Sequence, residues 1–477
     1  MASTSSRQRR ALWHRITGLP LCVIMFLFAV TGLLWQHSDL IRGVSVSRSV
    51  LPPAYAAEHW SNGLLRGTLR CGDELYLYGE AGLFRCPNNN TADAEPVPGL
   101  PEGQAVRRAV VMPGGHLVAL HGNAVSVLAP GASTWQQLKP GKLRPTDLCA
   151  KGDTLCIVGR NGIMQAHAPY VRGEKLTFTP PEGAPSGGSL YGHVKHLHCG
   201  SLFGIVGIAV VDIIAVVFIL LCLTGLVFWV LRKLMPKLRG VKWAPKVLKF
   251  SHIFHTRPGR WCFCLLFLVV LTGWAMRFPL QGLLISASVP DEKAAQTAWL
   301  GRDPGIAANS ATGELLIAAS GRIYSLTEGQ TRPVLVPNLP SVGRSAPAYF
   351  AVQPNGDWLL AGSEGLLQYT KSNGEARTLQ AGDFSGYSAE LGGKAIPRRG
   401  GLPELTMPES VAQSRVPLIQ VVRDVHTGKF FFGSAAPAYV SIAGLAALLC
   451  LLTGWLLKPP AKHGKPAPST REKDAAK

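Results

Sequence analysis

Val194–Gly204 reads VKHLHCGSLFG, and Val422–Gly433 reads VRDVHTGKFFFG, a looser copy of the same phrase. Each sets a His-x-Gly ahead of a long apolar stretch, so the fold turns on why the phrase is written twice. Four apolar runs stand out: Leu19–Trp35, Leu202–Leu231, Trp261–Phe278 and Ala435–Leu457. Each approaches or exceeds the roughly 18 to 20 residues a helix needs to cross the hydrocarbon core, which predicts four membrane spans.

The chain has 477 residues, 47% of them hydrophobic, and a formal net charge of +20, enough length for several domains. Its basic residues fall in three places. Arg7, Arg9, Arg10 and Arg15 precede the first run or its core. Arg232, Lys233, Lys237, Arg239, Lys242, Lys246, Lys249, Arg257 and Arg260 lie between the second and third, and Lys458, Lys462 and Lys465 follow the fourth. The positive-inside rule makes all three cytoplasmic, with both termini inside and the inserts near 38–192 and 279–420 outside. Nucleic acid is excluded as the reason for the charge, and anchoring at anionic lipid head groups explains it. The AYA at Ala54–Ala56 mimics a signal-peptidase site but stands too far beyond the first apolar run, so the first span is expected to stay uncleaved.

The spans pair as two repeated helix pairs. HRITGLPLCVIMFLFAVTG aligns with HTRPGRWCFCLLFLVVLTG, placing His14 before Thr31 as His255 stands before Thr272. LLCLTGLVFW and LLCLLTGWLL end the second and fourth spans, with His198 ahead of Thr224 and His426 ahead of Thr453. Parallel repeats would bring His14 opposite His255 and His198 opposite His426. Two facing neutral imidazoles on a bundle suit a b-type haem with axial His ligands. No Cys-x-x-Cys-His signals covalent attachment. The four Thr-Gly pairs read equally well as helix-packing sites or as room for a porphyrin face. His193, His196, His198 and Cys199 form a rival cluster for zinc or copper, without a counterpart before His426. His37 and His252 are spare candidates.

Span two, at about 45 Å as a helix, is longer than the core, which puts Asp212 near the outer interface as a solvated carboxylate. The same counting lifts His198 well above the bilayer unless Gly200 and Gly204 break the helix. Both inserts carry apolar hairpins opening on Gly72, Gly114, Gly152, Gly313 and Gly356 at intervals suggestive of propeller blades, which leaves open one split propeller or two separate β-sheets. Cys71 with Cys86, and Cys149 with Cys156, are spaced for local disulfides, while Cys22, Cys222, Cys262, Cys264 and Cys450 are apolar filler in the spans.

The phrases LWHRITGLPL and AVTGLLW, HLHCGSLFG and LCLTGLVFW, FSHIFHTRPGRW and LTGW, DVHTGKFFFG and LLTGWLL resemble the PepSY-associated transmembrane family, which includes iron-regulated inner-membrane proteins and ferric-siderophore reductases. The resemblance implies a four-helix conduit in the bacterial inner membrane, binding haem b, with two haems expected, and reducing ferric iron or a ferric siderophore in the periplasm. Carried over residue by residue, its span histidines match His14, His198, His255 and His426. The resulting domain plan is a first span in 1–37, a β-rich insert in 38–192, and a second span with its His-rich entry in 193–231. A basic loop (232–258), a third span (259–278) and a second β-rich insert (279–420) follow, then a fourth span with its His entry (421–457) and a tail (458–477). No dinucleotide or flavin fingerprint is present, so the donor is expected to be a quinol, a reduced flavin or a flavoprotein. The alternative is a membrane-anchored sensor or binding module whose spans are only structural.

Overall fold

The computed structural model describes residues 6–56, 64–101, 104–301, 303–309, 312–337, 339, 349–352, 357–362, 365–370, 375–380, 384–388, 394–397 and 408–457. The chain divides into a helical unit (1–36, 193–282, 423–477) and a β unit (37–192, 283–422).

In the helical unit, α1 is Ser6–Gln36, α2 (Leu190–His198) leads to α3 (Gly204–Leu234), and α4 (Ala244–Trp261) leads to α5 (Phe263–Ala275). The short α6 (Leu280–Ser286) comes next, α7 (Glu292–Ala295) and α8 (Glu409–Ala412) belong to the β unit, and α9 (Leu418–His426), α10 (Lys429–Phe432) and α11 (Ala436–Trp455) complete the helices. Three helical stretches, Gln8–Gln36, Ser201–Leu234 and Lys429–Trp455, are long and apolar enough to cross a membrane. The pair α4 and α5 makes a fourth only as a bent span. Large apolar side chains such as Ile205, Val206, Ile213, Ile442 and Leu449 point outward, a pattern that lipid satisfies and water does not. This is a membrane protein with β-rich inserts.

α1 packs on both α3 and α11, and α4 and α5 together close the ring against α3 and α11. Small residues let the helices approach: Ala443 and Ala447, one turn apart, pack with Leu21, Met25 and Cys222. One of the expected spans is corrected. The third is not one helix from Trp261 to Phe278, because the chain bends by 73° between α4 and α5. Pro258 lies inside α4, lacks an N–H and weakens the ladder one turn before the bend at Cys262. The second keeps its expected place within Ser201–Leu234, and its His phrase is set off by the break foreseen at Gly200 and Gly204. α2 ends at His198, Gly200 takes φ 76°, one 3-10 turn spans Ser201–Phe203, and Gly204 at φ 63° starts α3. The fourth repeats this device with Gly428 at φ 78° and Gly433 at φ 49°. A Cβ at Gly200 would run into the Gly207 carbonyl, so glycine is required there twice over.

Among the described residues the β unit has five four-stranded antiparallel sheets, and each of the five hairpins expected from the sequence has its described strands in one of them. Their first strands are Gly67–Cys71, Val106–Met112, Pro145–Lys151, Gly305–Asn309 and Tyr349–Val352. Each first strand contacts the next sheet, and the two-stranded sheet opening at Phe384–Ser388 contacts both the fifth sheet and the strand Gly67–Cys71. Two short pairings, Ser45–Val46 with Val416–Pro417 and Gly187–Ser189 with Ser288–Pro290, join the inserts directly. The two inserts therefore share one compact unit.

At its centre Arg108 donates from Nε to Asp147 Oδ1 at 3.0 Å and from its terminal nitrogen to the Phe350 carbonyl at 2.8 Å. Asp147 Oδ2 accepts the Ile306 amide at 3.0 Å. These four residues belong to four different sheets. The expected Cys71–Cys86 disulfide is overturned. Cys71 pairs with Glu74 and Cys86 with Leu75, on opposite sides of the strand Glu74–Gly79. Two strand spacings, roughly 9 to 10 Å, exceed the reach of a disulfide.

Candidate functional site

Four imidazoles repeat one geometry. His14 on α1 places Nδ1 3.0 Å from the Cys450 carbonyl, three residues before Thr453. His255 on α4 places Nδ1 3.0 Å from the Leu221 carbonyl, three before Thr224. His198, closing α2, does the same to Val269 at 3.0 Å, three before Thr272, and His426, closing α9, to Phe28 at 3.0 Å, three before Thr31. A main-chain carbonyl can only accept, so Nδ1 carries the proton and Nε2 holds the lone pair in all four rings. Among the described residues no hydrogen bond reaches Nε2 of any of them.

The glycine after each threonine is the seat of the ring. A Cβ built on Gly454 would stand 2.8 Å from His14 Cε1, on Gly225 2.9 Å from His255 Cε1, on Gly273 2.8 Å from His198 Cε1, and on Gly32 3.1 Å from His426 Cε1. Each threonine hydroxyl bonds back to the carbonyl four residues earlier, at 2.6 Å for Thr31 and Thr224, 2.7 Å for Thr272 and 2.9 Å for Thr453. The Thr-Gly pairs thus form a cradle for an imidazole arriving from another helix. In sequence they read as packing sites or porphyrin space; the signal for the cradle is their fixed position after an acceptor carbonyl, visible only across helices.

The His14 and His255 rings face each other with centroids 6.1 Å apart and planes at 58°. His198 and His426 are close enough for their charges to interact, and Arg277 at the end of α5 is within the same range of both. Phe28 and Trp35 wall the His426 ring at 5.8 and 5.6 Å.

The residues fit a bis-histidine haem. Two imidazoles held at about 2 Å from one iron through Nε2 put their ring centres about 6 Å apart. A ligating histidine also characteristically donates its other N–H to a carbonyl, as all four do.

The remaining candidates are placed elsewhere. His196 Nδ1 bonds Ser201 Oγ at 2.7 Å, Cys199 Sγ lies 3.1 Å from the same hydroxyl, and His198 turns away to α5. The zinc or copper cluster of His193, His196, His198 and Cys199 does not assemble, and among the described residues no three His, Cys, Asp or Glu side chains converge on a metal position. His252 packs its ring on Phe228 at 5.2 Å, and His37 lies in the β unit. Asp212 is not a freely solvated carboxylate: it is half-buried and accepts from Gln36 Nε2 at 3.0 Å. His198 is brought to α5 by the break at Gly200, which answers the height that an unbroken second span would give it.

Apolar helices threaded by seated imidazoles define a membrane protein with paired histidine sites. The chain belongs to the PepSY-associated TM region family, whose model matches residues 157–457, more than half its length. No curated protein matches it. Among solved structures it is similar to the extracellular domain of a hybrid two component system from B. thetaiotaomicron, at 10% identity and TM-score 0.34, covering 68% of this chain and 28% of that one. It is also similar to PorZ, a surface component of the type-IX secretion system of Porphyromonas gingivalis, at 10% identity and TM-score 0.31, covering 68% and 34%. A third is an ancestral GH74 enzyme, at 7% identity and TM-score 0.35, covering 68% and 33%. The chain spans about a third of the length of these structures, and the likeness is too loose to bear on its activity.

Proposed function

We propose that the protein is a haem-binding transmembrane electron carrier of the bacterial inner membrane, passing electrons from the cytoplasmic side to a periplasmic acceptor, ferric iron or a ferric siderophore. One observation carries this reading: four imidazoles fixed in the same tautomer, with Nε2 unbonded, and one pair facing at 6.1 Å. His14 and His255 hold an inner haem b, and His198 and His426 an outer one. Bound there, the haem supplies a one-electron couple.

The chain supplies the rest. The carbonyls of Cys450, Leu221, Val269 and Phe28 orient the rings and raise the basicity of Nε2. Phe28 and Trp35 exclude water from the outer site, and the Arg277 charge stands by to favour the electron-rich state. Roughly 21 Å of helix rise separates His14 from Phe28 on α1, which sets the span of the transfer. The basic segment 232–258 faces the cytoplasm, where a quinol, a reduced flavin or a flavoprotein delivers the electron. Two parallel helix-pair repeats supply one imidazole each to every site, and the six sheets outside form one split propeller.

Reduced-minus-oxidised spectra of the purified chain test this. The expected result is bis-His b-type bands, with one haem lost in His14→Ala and the other in His198→Ala. A colourless protein expressed with ample haem would overturn the carrier and leave a membrane-anchored binding module.

A further inference from the structure

The β unit holds a buried thiol pair that the electron path does not use. Cys149 and Cys156 are direct cross-strand partners in the hairpin of Pro145–Lys151 with Thr154–Gly159, so their side chains project from the same face of the sheet. Both are buried, Cys149 at 9% exposure and Cys156 at 0%. Directly opposed residues in an antiparallel pair have Cα atoms about 4.5 to 5.5 Å apart, inside the window of about 4.4 to 6.8 Å that a disulfide spans. Cys71 and Cys86, which look equivalent in sequence, fail the same test because a strand lies between them.

The two thiols influence each other: Cys156 holds the Cys149 thiol well above its ordinary range, and Cys149 pulls Cys156 below it. Gln165 Nε2 donates to Cys156 Sγ at 3.9 Å. Cys156 is therefore the thiol nearer to ionisation, and a thiolate is the species that attacks a disulfide.

We propose that Cys149 and Cys156 are a disulfide-forming pair, oxidised as the β unit folds. Cys156 thiolate attacks the disulfide of a thiol oxidoreductase and releases one of its thiols. Cys149, losing its proton, then displaces the second. The pair gives up two electrons and two protons, one S–S bond forms in the chain, and the oxidoreductase disulfide becomes a dithiol. Burial of Cys156 at 0% exposure requires this before the sheet is covered and shields the bond from reductants afterwards. The bond would tie the hairpin two residues from Asp147 and so brace the ion pair at the centre of the unit.

Formation in the cell rests on the periplasmic placement of the β unit, and the test separates the two. Cells are quenched in acid, the full chain is alkylated under denaturing conditions, and tryptic peptides are read by mass. A second sample, reduced and purified, is unfolded, then refolded in detergent with glutathione disulfide. The expected result is a Cys149–Cys156 linked peptide in both samples, with Cys71 and Cys86 alkylated in both. Linkage only in the refolded sample would overturn oxidation in the cell and count against the periplasmic placement. Free Cys149 and Cys156 in both would overturn the pair itself.

Discussion

At the scale of single residues, the glycines of the four Thr-Gly pairs decide whether an imidazole can be seated. Gly454→Val puts a branched side chain where His14 Cε1 lies 2.8 Å from a bare Cβ position, and Gly273→Val does the same to His198. If the proposed two-haem reading holds, each loses one haem and keeps the other, read as haem per chain and as loss of one set of bands. Unchanged haem content would reduce the glycines to helix packing. A different residue governs the pH response of the β unit. His121, 6% exposed, bonds Gln104 Oε1 at 3.0 Å and Ser126 Oγ at 2.8 Å, and burial lowers its pKa below the ordinary 6.5. The unfolded chain therefore binds the proton first. Stability is full above about pH 6.5 and falls as pH drops toward the folded-state value, by at most about 1.4 kcal/mol per pH unit. His121→Gln, compared with the unmutated chain in urea at about pH 7.5 and about pH 5.5, is expected to flatten that part of the slope.

At the scale of elements, the breaks between helices matter as much as the helices. The His-x-Gly phrase is legible in sequence as a repeat, and the candidate histidines follow from it. Of its conformation only the break at Gly200 and Gly204 can be raised from sequence, because a left-handed glycine and a single 3-10 turn leave no period to read. The bend between α4 and α5 is hidden for a related reason: Pro258 is visible, but the 73° change of direction depends on what α3 and α11 offer to pack against. Register is likewise invisible, so Cys71 and Cys86 look as well matched as Cys149 and Cys156 until a strand is found between the first two. Gly200 tests the break. Gly200→Leu adds both a strained φ of 76° and a clash with the Gly207 carbonyl, so His198 is drawn away from Val269. On the proposed two-haem reading, haem at the His198–His426 site is expected to fall while haem at the His14–His255 site, which α1, α3, α4 and α11 would hold, is retained. Loss of both haems together would show that the variant disrupts the bundle as a whole.

At the scale of the molecule, each unit is assembled from separate stretches of chain, so each needs contacts that hold distant segments together. In the helical unit the four histidine bonds do this, linking α1 with α11 and α9, and α3 and α5 with α4 and α2. In the β unit the same task falls to the Arg108–Asp147 ion pair. Its side chains are 9% exposed, and it reaches the Ile306 amide and the Phe350 carbonyl in the second insert. A buried pair is weak evidence of net stabilisation, but removing one partner strands the other without water. Asp147→Ala takes the carboxylate away from the Arg108 charge and the Ile306 amide, at a cost of about 3 to 5 kcal/mol. A paired replacement, Arg108→Met with Asp147→Leu, leaves neither member of the pair facing the gap and is expected to recover much of that loss. Urea unfolding followed by tryptophan fluorescence, with Trp358 buried in the Phe350 sheet and Trp299 buried against the Ile306 sheet, reads both variants. If Asp147→Ala unfolds with the unmutated chain, the pair does not hold the inserts together, and the short pairings at Ser45–Val46 and Gly187–Ser189 carry that task instead.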